Sequence, residues 1–239
     1  MNLKTERYAD QSRYWPAAGR HILAQSDEQS VVVYQAYSPR IGRFAATHGY
    51  FGGEFSYSRM SWIKPNFLWM MYRSGWGTKQ NQETTLAVRL RRTFFDGLLA
   101  QAVPSSFDRD LYPDPGAWRE AVADSQVRLQ WDPDHDPDGT PLQRRALQLG
   151  LRGDMLEEFG RGAILETEDI REFVAGQRLL RIDGGYNELL SPVERVYAPT
   201  DPAIARRLKL TPSGRMSNRT EPTNGQFFHR PLIPKGTAR

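Results

Sequence analysis

Arg59-Met-Ser-Trp62-Ile-Lys64-Pro65-Asn-Phe67-Leu-Trp69-Met-Met-Tyr72-Arg73-Ser74-Gly75-Trp76-Gly77 is the most informative segment of the chain. Three Trp, a Tyr, two Arg and a Lys share one short apolar run. A purely structural strand or helix draws on Leu, Ile and Val and keeps polar groups on its wet face. Ser58 to Lys64 reads as a strand. Pro65 biases Lys64 towards extended geometry and suits the first turn of a following helix. Phe67 to Tyr72 then reads as a short buried helix ended by Ser74-Gly75. A buried strand is the competing assignment, because period alone does not separate the two in so short a run.

Upstream, Val31-Val-Val-Tyr34-Gln35-Ala-Tyr37 is β-branched and aromatic and stops at Ser38-Pro39, the clearest strand signal in the chain. Ser38 caps and Pro39 opens a helix to about His48, with Ile41, Phe44 and Ala45 on one face. Downstream, Gln82 to Arg92 alternates as a strand, and Phe94 to Ala102 reads as a helix. Pro104 to Pro115 is a loop, and Ala117 to Asp124 is a short helix. Val127, Leu129 and Trp131 share one side of another strand. Asp132 to Pro141 reads as an acidic loop and Arg145 to Leu151 as a strand. Met155 to Gly160 and Asp169 to Gln177 read as helices flanking an extended Ile164-Leu165. Strands and helices mix without clean βαβ alternation, so the expected class is α+β with a mixed or antiparallel central sheet. The expected organisation is an N-terminal segment (1–30), a core domain (31–183) and a basic, proline-punctuated C-terminal extension (184–239).

The bulk composition narrows the chemistry. The 239 residues suffice for a proper core, and 39% hydrophobic with 25% charged residues fits a soluble globular chain. A net charge of +4 permits an anionic partner, although so small an excess also reads as solubility alone. The absence of Cys excludes disulfides, thiolate nucleophiles and Cys-based metal sites. No apolar stretch approaches a membrane span, and none near Met1 resembles a secretory signal, so a cytoplasmic, membrane-free protein is expected. GxxxxGK[ST], GxGxxG in a strand–helix context, GxSxG and HExxH are all missing, which argues against P-loop, Rossmann, serine-hydrolase and zincin chemistry. Asp134-His-Asp136-Pro-Asp138-Gly139 matches the first half of an EF-hand loop. The twelfth position falls on Arg145, where a bidentate Glu is needed, and no metal site is expected.

Two readings of Arg59 to Gly77 stay open. Arg59, Lys64 and Arg73 offer cations to an anion, with Trp62, Trp69, Tyr72 and Trp76 available to stack a ring. Alternatively, the rings form a core and the cations pair with Glu54 or Glu83. Tyr34, Gln35, Tyr37 and Arg40 form a second polar cluster. It converges with the first if its strand lies beside Ser58 to Lys64, and Glu166 or Asp169 would then supply a carboxylate.

Val-Tyr34-Gln35-Ala-Tyr37, the block Arg59 to Trp76, Gln82-Glu83 and Val127-x-Leu-Gln-Trp131-Asp132-Pro133 together resemble the domain-of-unknown-function family 4291, from about Val31 to Val174. The order of elements also resembles ADP-ribosyltransferase-like folds. That second resemblance implies NAD as cofactor and transfer to a nucleic acid or protein acceptor. In such folds a first-strand Arg or His holds NAD, a middle Ser or Tyr packs on nicotinamide, and a late Glu aligns the ribose. Here Tyr34 and Gln35 occupy the first strand, so Arg40 or Arg59 would stand in. Tyr72 or Ser74 would be the middle element, and Glu166 the late carboxylate, with Gln148 a rival. Arg59 and Arg73 would hold phosphates, and Tyr72 and Trp62 would stack on rings. A non-catalytic RNA- or DNA-binding domain using the same Arg and Trp residues is the rival function, and a ligand-free protein-interaction domain is a third.

Overall fold

The computed structural model describes residues 3–212. In chain order the strands and helices begin with β1 (Thr5–Arg7), α1 (Tyr8–Gln11), β2 (Gly19–Arg20), β3 (Leu23–Ala24), β4 (Ser30–Tyr37) and α2 (Pro39–His48). There follow β5 (Ser61–Ile63), α3 (Phe67–Ser74), β6 (Thr84–Arg91), α4 (Arg92–Gln101), β7 (Val103–Pro104) and α5 (Pro115–Asp124). Then come β8 (Val127–His135), β9 (Pro141–Leu151), α6 (Gly153–Glu157), β10 (Ile164–Asp169) and α7 (Arg171–Ile182). The described chain closes with β11 (Leu190–Pro192), β12 (Arg195–Val196) and α8 (Pro202–Arg207).

β4 is central because both of its faces are apolar. Val31 and Val33 enter one core cluster, with Leu86, Phe95 and Leu149. Val32 and Tyr34 enter a second cluster on the opposite side, with Phe67, Met71 and Trp76. A strand buried on both faces reads as a near-continuous hydrophobic run, which is what Val31 to Tyr34 is. β4 pairs antiparallel with β6 along its whole length, and β10 lies on the far edge of β6.

A second sheet runs β2-β9-β8-β7, with β5 also on β9. An isolated antiparallel bridge between Tyr34 and Lys64 links its β5 end to β4. The mixture of helices with mainly antiparallel strands agrees with the expected class. Among the described residues no helix is long and apolar enough to cross a membrane.

Several boundaries differ from expectation. The strand over Ser58 to Lys64 contracts to β5, with Lys64 held by the bridge. Pro65 precedes the helix rather than opening it, because Asn66 is the N-cap and accepts a 2.6 Å bond from the Trp69 amide. The expected acidic loop is half strand: β8 runs through His135, and the hairpin turn closes where the Asp136 amide meets the Thr140 carbonyl. Asp134 is buried there and ion-pairs with Arg144 at 2.6 Å. α7 starts two residues later than expected, because Asp169 ends β10, and it continues to Ile182.

The boundaries at 30/31 and 183/184 do not separate packed units. β1 pairs with β11 and β3 with β12, so both flanking segments zip together against the core. The described part of the C-terminal extension therefore holds strands and a helix. The remainder of that basic extension, 213–239, lies outside the described residues.

Candidate functional site

The bridge from Tyr34 to Lys64 sets β4 beside the Arg59-to-Lys64 segment, and of the second polar cluster Gln35 and Tyr37 meet the first there while Tyr34 and Arg40 do not. Gln35 Nε2 donates to Ser61 Oγ at 2.9 Å and to the Trp62 carbonyl at 3.3 Å. Tyr37 and Ser61 share a hydroxyl hydrogen bond of 2.5 Å. Burial keeps the Tyr37 hydroxyl protonated well above the ordinary phenol range, with the Ser61 bond opposing it. These contacts form one wall of a cleft of about 800 Å³.

Each neighbouring element adds to the lining. Arg59, Trp62 and Lys64 come from the segment around β5, and Met70 and Arg73 from one face of α3. Gln130 and Gln148 face each other across β8 and β9. Both amides donate to Asp132 at 2.7 Å, which fixes their orientation. Trp62 lies opposite Gly150 of β9. A Cβ at Gly150 would stand 2.7 Å from Met60 Sδ and 3.0 Å from the Trp62 ring, so glycine lets the indole lie flat on the sheet.

Electrostatics mark the cleft. Lys64 is 4% exposed, and its pKa falls from the ordinary 10.5 to about 8. Burial is the main cause and the Arg73 guanidinium the second, with Asp132 opposing them. Among the described residues, no side chain forms an ion pair with Arg59, Lys64 or Arg73. Of the carboxylates that might have neutralised them, Glu54 pairs with Arg40 at 2.8 Å, while Glu83 accepts the Asn81 amide at 3.0 Å through Oε1 and its buried Oε2 has no hydrogen-bond donor. Gln35 Oε1 is buried and accepts no hydrogen bond. Unpaired cations and an unsatisfied acceptor around one cavity suit an anion that also brings donors.

Five of the ten residues singled out from the sequence line this cleft: Gln35, Arg59, Trp62, Lys64 and Arg73. The other five do not. Tyr34 follows strand alternation to the opposite face, where it packs edge-on to Phe67 at 5.5 Å. Neighbouring residues of one strand, Tyr34 and Gln35 point apart. Arg40 is exposed on α2 and bound to Glu54, though Glu54 itself lines the cleft. Tyr72, one residue from Arg73, is rotated around α3 and stacks on His135 at 3.6 Å. Ser74 is buried and donates to the Met70 carbonyl at 2.9 Å, a helix-terminal role. Glu166 is exposed on β10, paired with Arg89 of β6 and two strands from β4, roughly 10 Å at ordinary strand spacing.

Of the rings considered for stacking, Trp69 joins Tyr72 and His135 in one aromatic stack. Trp76 donates to the Pro137 carbonyl at 3.2 Å and braces the hairpin turn. Gln148, the rival to Glu166, does line the cleft. Gln130 and Asp132 escaped the sequence reading, although alternation in β8 signals them: with Val127, Leu129 and Trp131 on one side, Gln130 and Asp132 share the other. Among the described residues no cluster of His, Asp and Glu has metal-site geometry.

Fold and cleft together define a single mixed α/β domain with a polar cavity whose cations Arg59, Lys64 and Arg73 form no ion pair among the described residues. The chain belongs to the family described as Domain of unknown function (DUF4291), whose profile matches residues 21–197. That span contains every residue lining the cleft and crosses both expected segment boundaries. No curated protein matches the chain.

Proposed function

We propose that the cleft binds a nucleotide and that the protein is a nucleotide-handling enzyme. The convergence of Arg59, Lys64 and Arg73 without a carboxylate partner among the described residues carries this reading. Phosphates would take the place of the missing counter-charges, with the Arg73 fork suited to two phosphate oxygens. Trp62 offers a ring face, and Gln35, Gln130 and Gln148 offer amide edges that pair with a base or ribose hydroxyls. The volume falls within the range of small-ligand sites.

NAD fits this inventory as a dinucleotide with two phosphates and two rings. Breaking its nicotinamide bond passes through an oxocarbenium-like state that a nearby carboxylate stabilises. Glu166 is remote from the cleft, so Glu54 at the rim and Asp132 behind the amides take its place in the proposal. Lys64, close to neutrality in its pKa, serves as a phosphate clamp that changes charge within an accessible pH range.

Thermal unfolding with NAD, ATP, inorganic phosphate and a short single-stranded RNA tests the reading. A nucleotide at a hundred times its dissociation constant adds roughly 2.7 kcal/mol to stability. The expected result is a raised Tm with a nucleotide that disappears in Arg73→Ala while the variant stays folded. A response confined to RNA and steeply weakened by salt would replace the enzyme with a nucleic-acid-binding domain. No response to any nucleotide would overturn the proposal.

A further inference from the structure

The β8–β9 pair has a second face that borders another cavity. Residues paired across antiparallel strands point the same way. Gln130 and Gln148 share the face that lines the first cleft, and Trp131, Leu147, Pro133 and Arg145 share the other. On that other face lies a cavity of about 560 Å³, walled by Trp131 and Arg145 and by Arg20 of β2. Phe107, Leu111 and Leu208 give it apolar sides.

Arg20 and Arg145 stand in register across the parallel β2–β9 pairing. Like charges placed side by side on one sheet face repel and destabilise the pairing. Among the described residues neither one forms an ion pair, although the Asp108 carboxylate is near enough for the Arg20 charge to lower its pKa. Asp108, the carboxylate in the lining, is bound to Lys209 at 2.7 Å. Arg207, also in the lining, is committed to the Ala102 carbonyl at 2.8 Å and to the Leu99 carbonyl. Arg20 instead lies 6.0 Å from the Trp131 ring centroid, a contact that orients the guanidinium without cancelling its charge. The Trp131 Nε1–H is buried with no acceptor.

Two arginines in register on one sheet face, both lining a cavity with Phe107 and Trp131 and neither ion-paired among the described residues, match a phosphate group carried on a small organic body. We propose that this cavity is a second, phosphate-selective site in which Arg20 and Arg145 grip one phosphate group together. The site shares Gln130 with the cleft of Arg59, Lys64 and Arg73 but none of those cations, and it stands or falls independently of the nucleotide reading there. The shared chemistry is the phosphate; AMP, ribose 5-phosphate and inorganic pyrophosphate distinguish what it is attached to.

The test follows the Trp131 indole N–H by NMR in the full chain, assigned through Trp131→Phe, while each of the three phosphates is titrated in. The expected result is a saturable shift of the Trp131 signal with at least one of them. Arg145→Gln and Arg20→Gln should each weaken it on the order of tenfold or more, the scale of a lost charge-assisted bond. Arg73→Ala should leave it unchanged. A stronger response to AMP than to pyrophosphate makes the ligand a nucleotide, and the reverse order makes it a free phosphate. Removing one of two repelling charges should not unfold the chain, and unaltered circular dichroism of both glutamine variants verifies this. Arg145→Lys provides a folded control that keeps charge but loses the fork, with intermediate affinity expected. No Trp131 shift, a shift insensitive to both glutamine variants, or one abolished by Arg73→Ala would each overturn the proposal.

Discussion

Lys64 concentrates the physics of the first cleft in one side chain. Its ammonium is desolvated and sits near Arg73, so the folded state binds that proton less tightly than the unfolded chain does. A lowering from 10.5 to about 8 corresponds to on the order of 3 kcal/mol of lost stability while the lysine is charged. Between the folded and unfolded values the unfolded state holds more protons, so stability rises with pH from about 8 to 10.5. Lys64→Met, which keeps the stem and removes the charge, should stabilise the protein by about 1–3 kcal/mol at neutral pH and erase that pH-dependent gain. Urea unfolding at a series of pH values measures both. Gly150→Val makes an opposite prediction at the same wall: the added side chain would displace Trp62 and Met60. It should cost about 1–3 kcal/mol in the same urea assay and weaken nucleotide binding. At this scale residue types were legible in the sequence and directions were not. Arg59, Lys64 and Arg73 stood out as cations in an apolar run. That Tyr34 points away from Gln35, and Tyr72 away from Arg73, follows from strand and helix geometry once the faces are known. Which face meets the cleft depends on partners distant in sequence.

Helix α3 shows how one element is built from remote pieces. Asn66 caps its N-terminus, Gly75 ends it with a left-handed φ of 59°, and both signals are local. A third contribution comes from Glu194, far along the chain. Its Oε1 accepts the Phe67 amide at 2.6 Å, and its Oε2 meets Asn66 Nδ2 at 3.3 Å. Glu194 is 1% exposed, and burial pushes its pKa well up, with the Phe67 bond opposing. Glu194→Ala should therefore strand the Phe67 N–H and cost about 1–3 kcal/mol, read as a lower urea midpoint. Glu194→Gln, which retains an acceptor, should cost much less. An equal loss in both variants would show that the acceptor is not what matters. The strand–turn–helix around Lys64-Pro65 was legible because proline and glycine punctuate it. The length of β8 was not, because Asp132-Pro133-Asp134 reads as a turn locally. The Arg144 ion pair and the pairing with β9 hold it extended instead. Tertiary pairing overrides local preference here.

At the scale of the whole molecule, the two ends of the described chain close the domain. β1 lies on β11, β3 on β12, and Gln11 bonds to Ser191 Oγ at 2.6 Å and to the Glu194 amide at 3.0 Å. A chain ended at Asp183 loses both pairings and the Glu194 contact with α3. It should show no cooperative unfolding transition by near-ultraviolet circular dichroism, and a native-like transition would contradict this closure. Proline spacing made the segment after Gly184 look extended and independent. Its strands are two or three residues long and carry no periodic signal to read. Arg59, Lys64 and Arg73 are proposed to form a cleft completed by a nucleotide's phosphates. Calorimetric titration of NAD and ADP from about pH 7 to about pH 10 tests it most directly, because Lys64 loses its charge within that window. The expected result is saturable binding that weakens as pH rises past about 8, with the pH dependence gone in Lys64→Met and affinity sharply reduced in Arg73→Ala. Absence of binding by the folded protein, or an affinity flat across that range and indifferent to both substitutions, would contradict it.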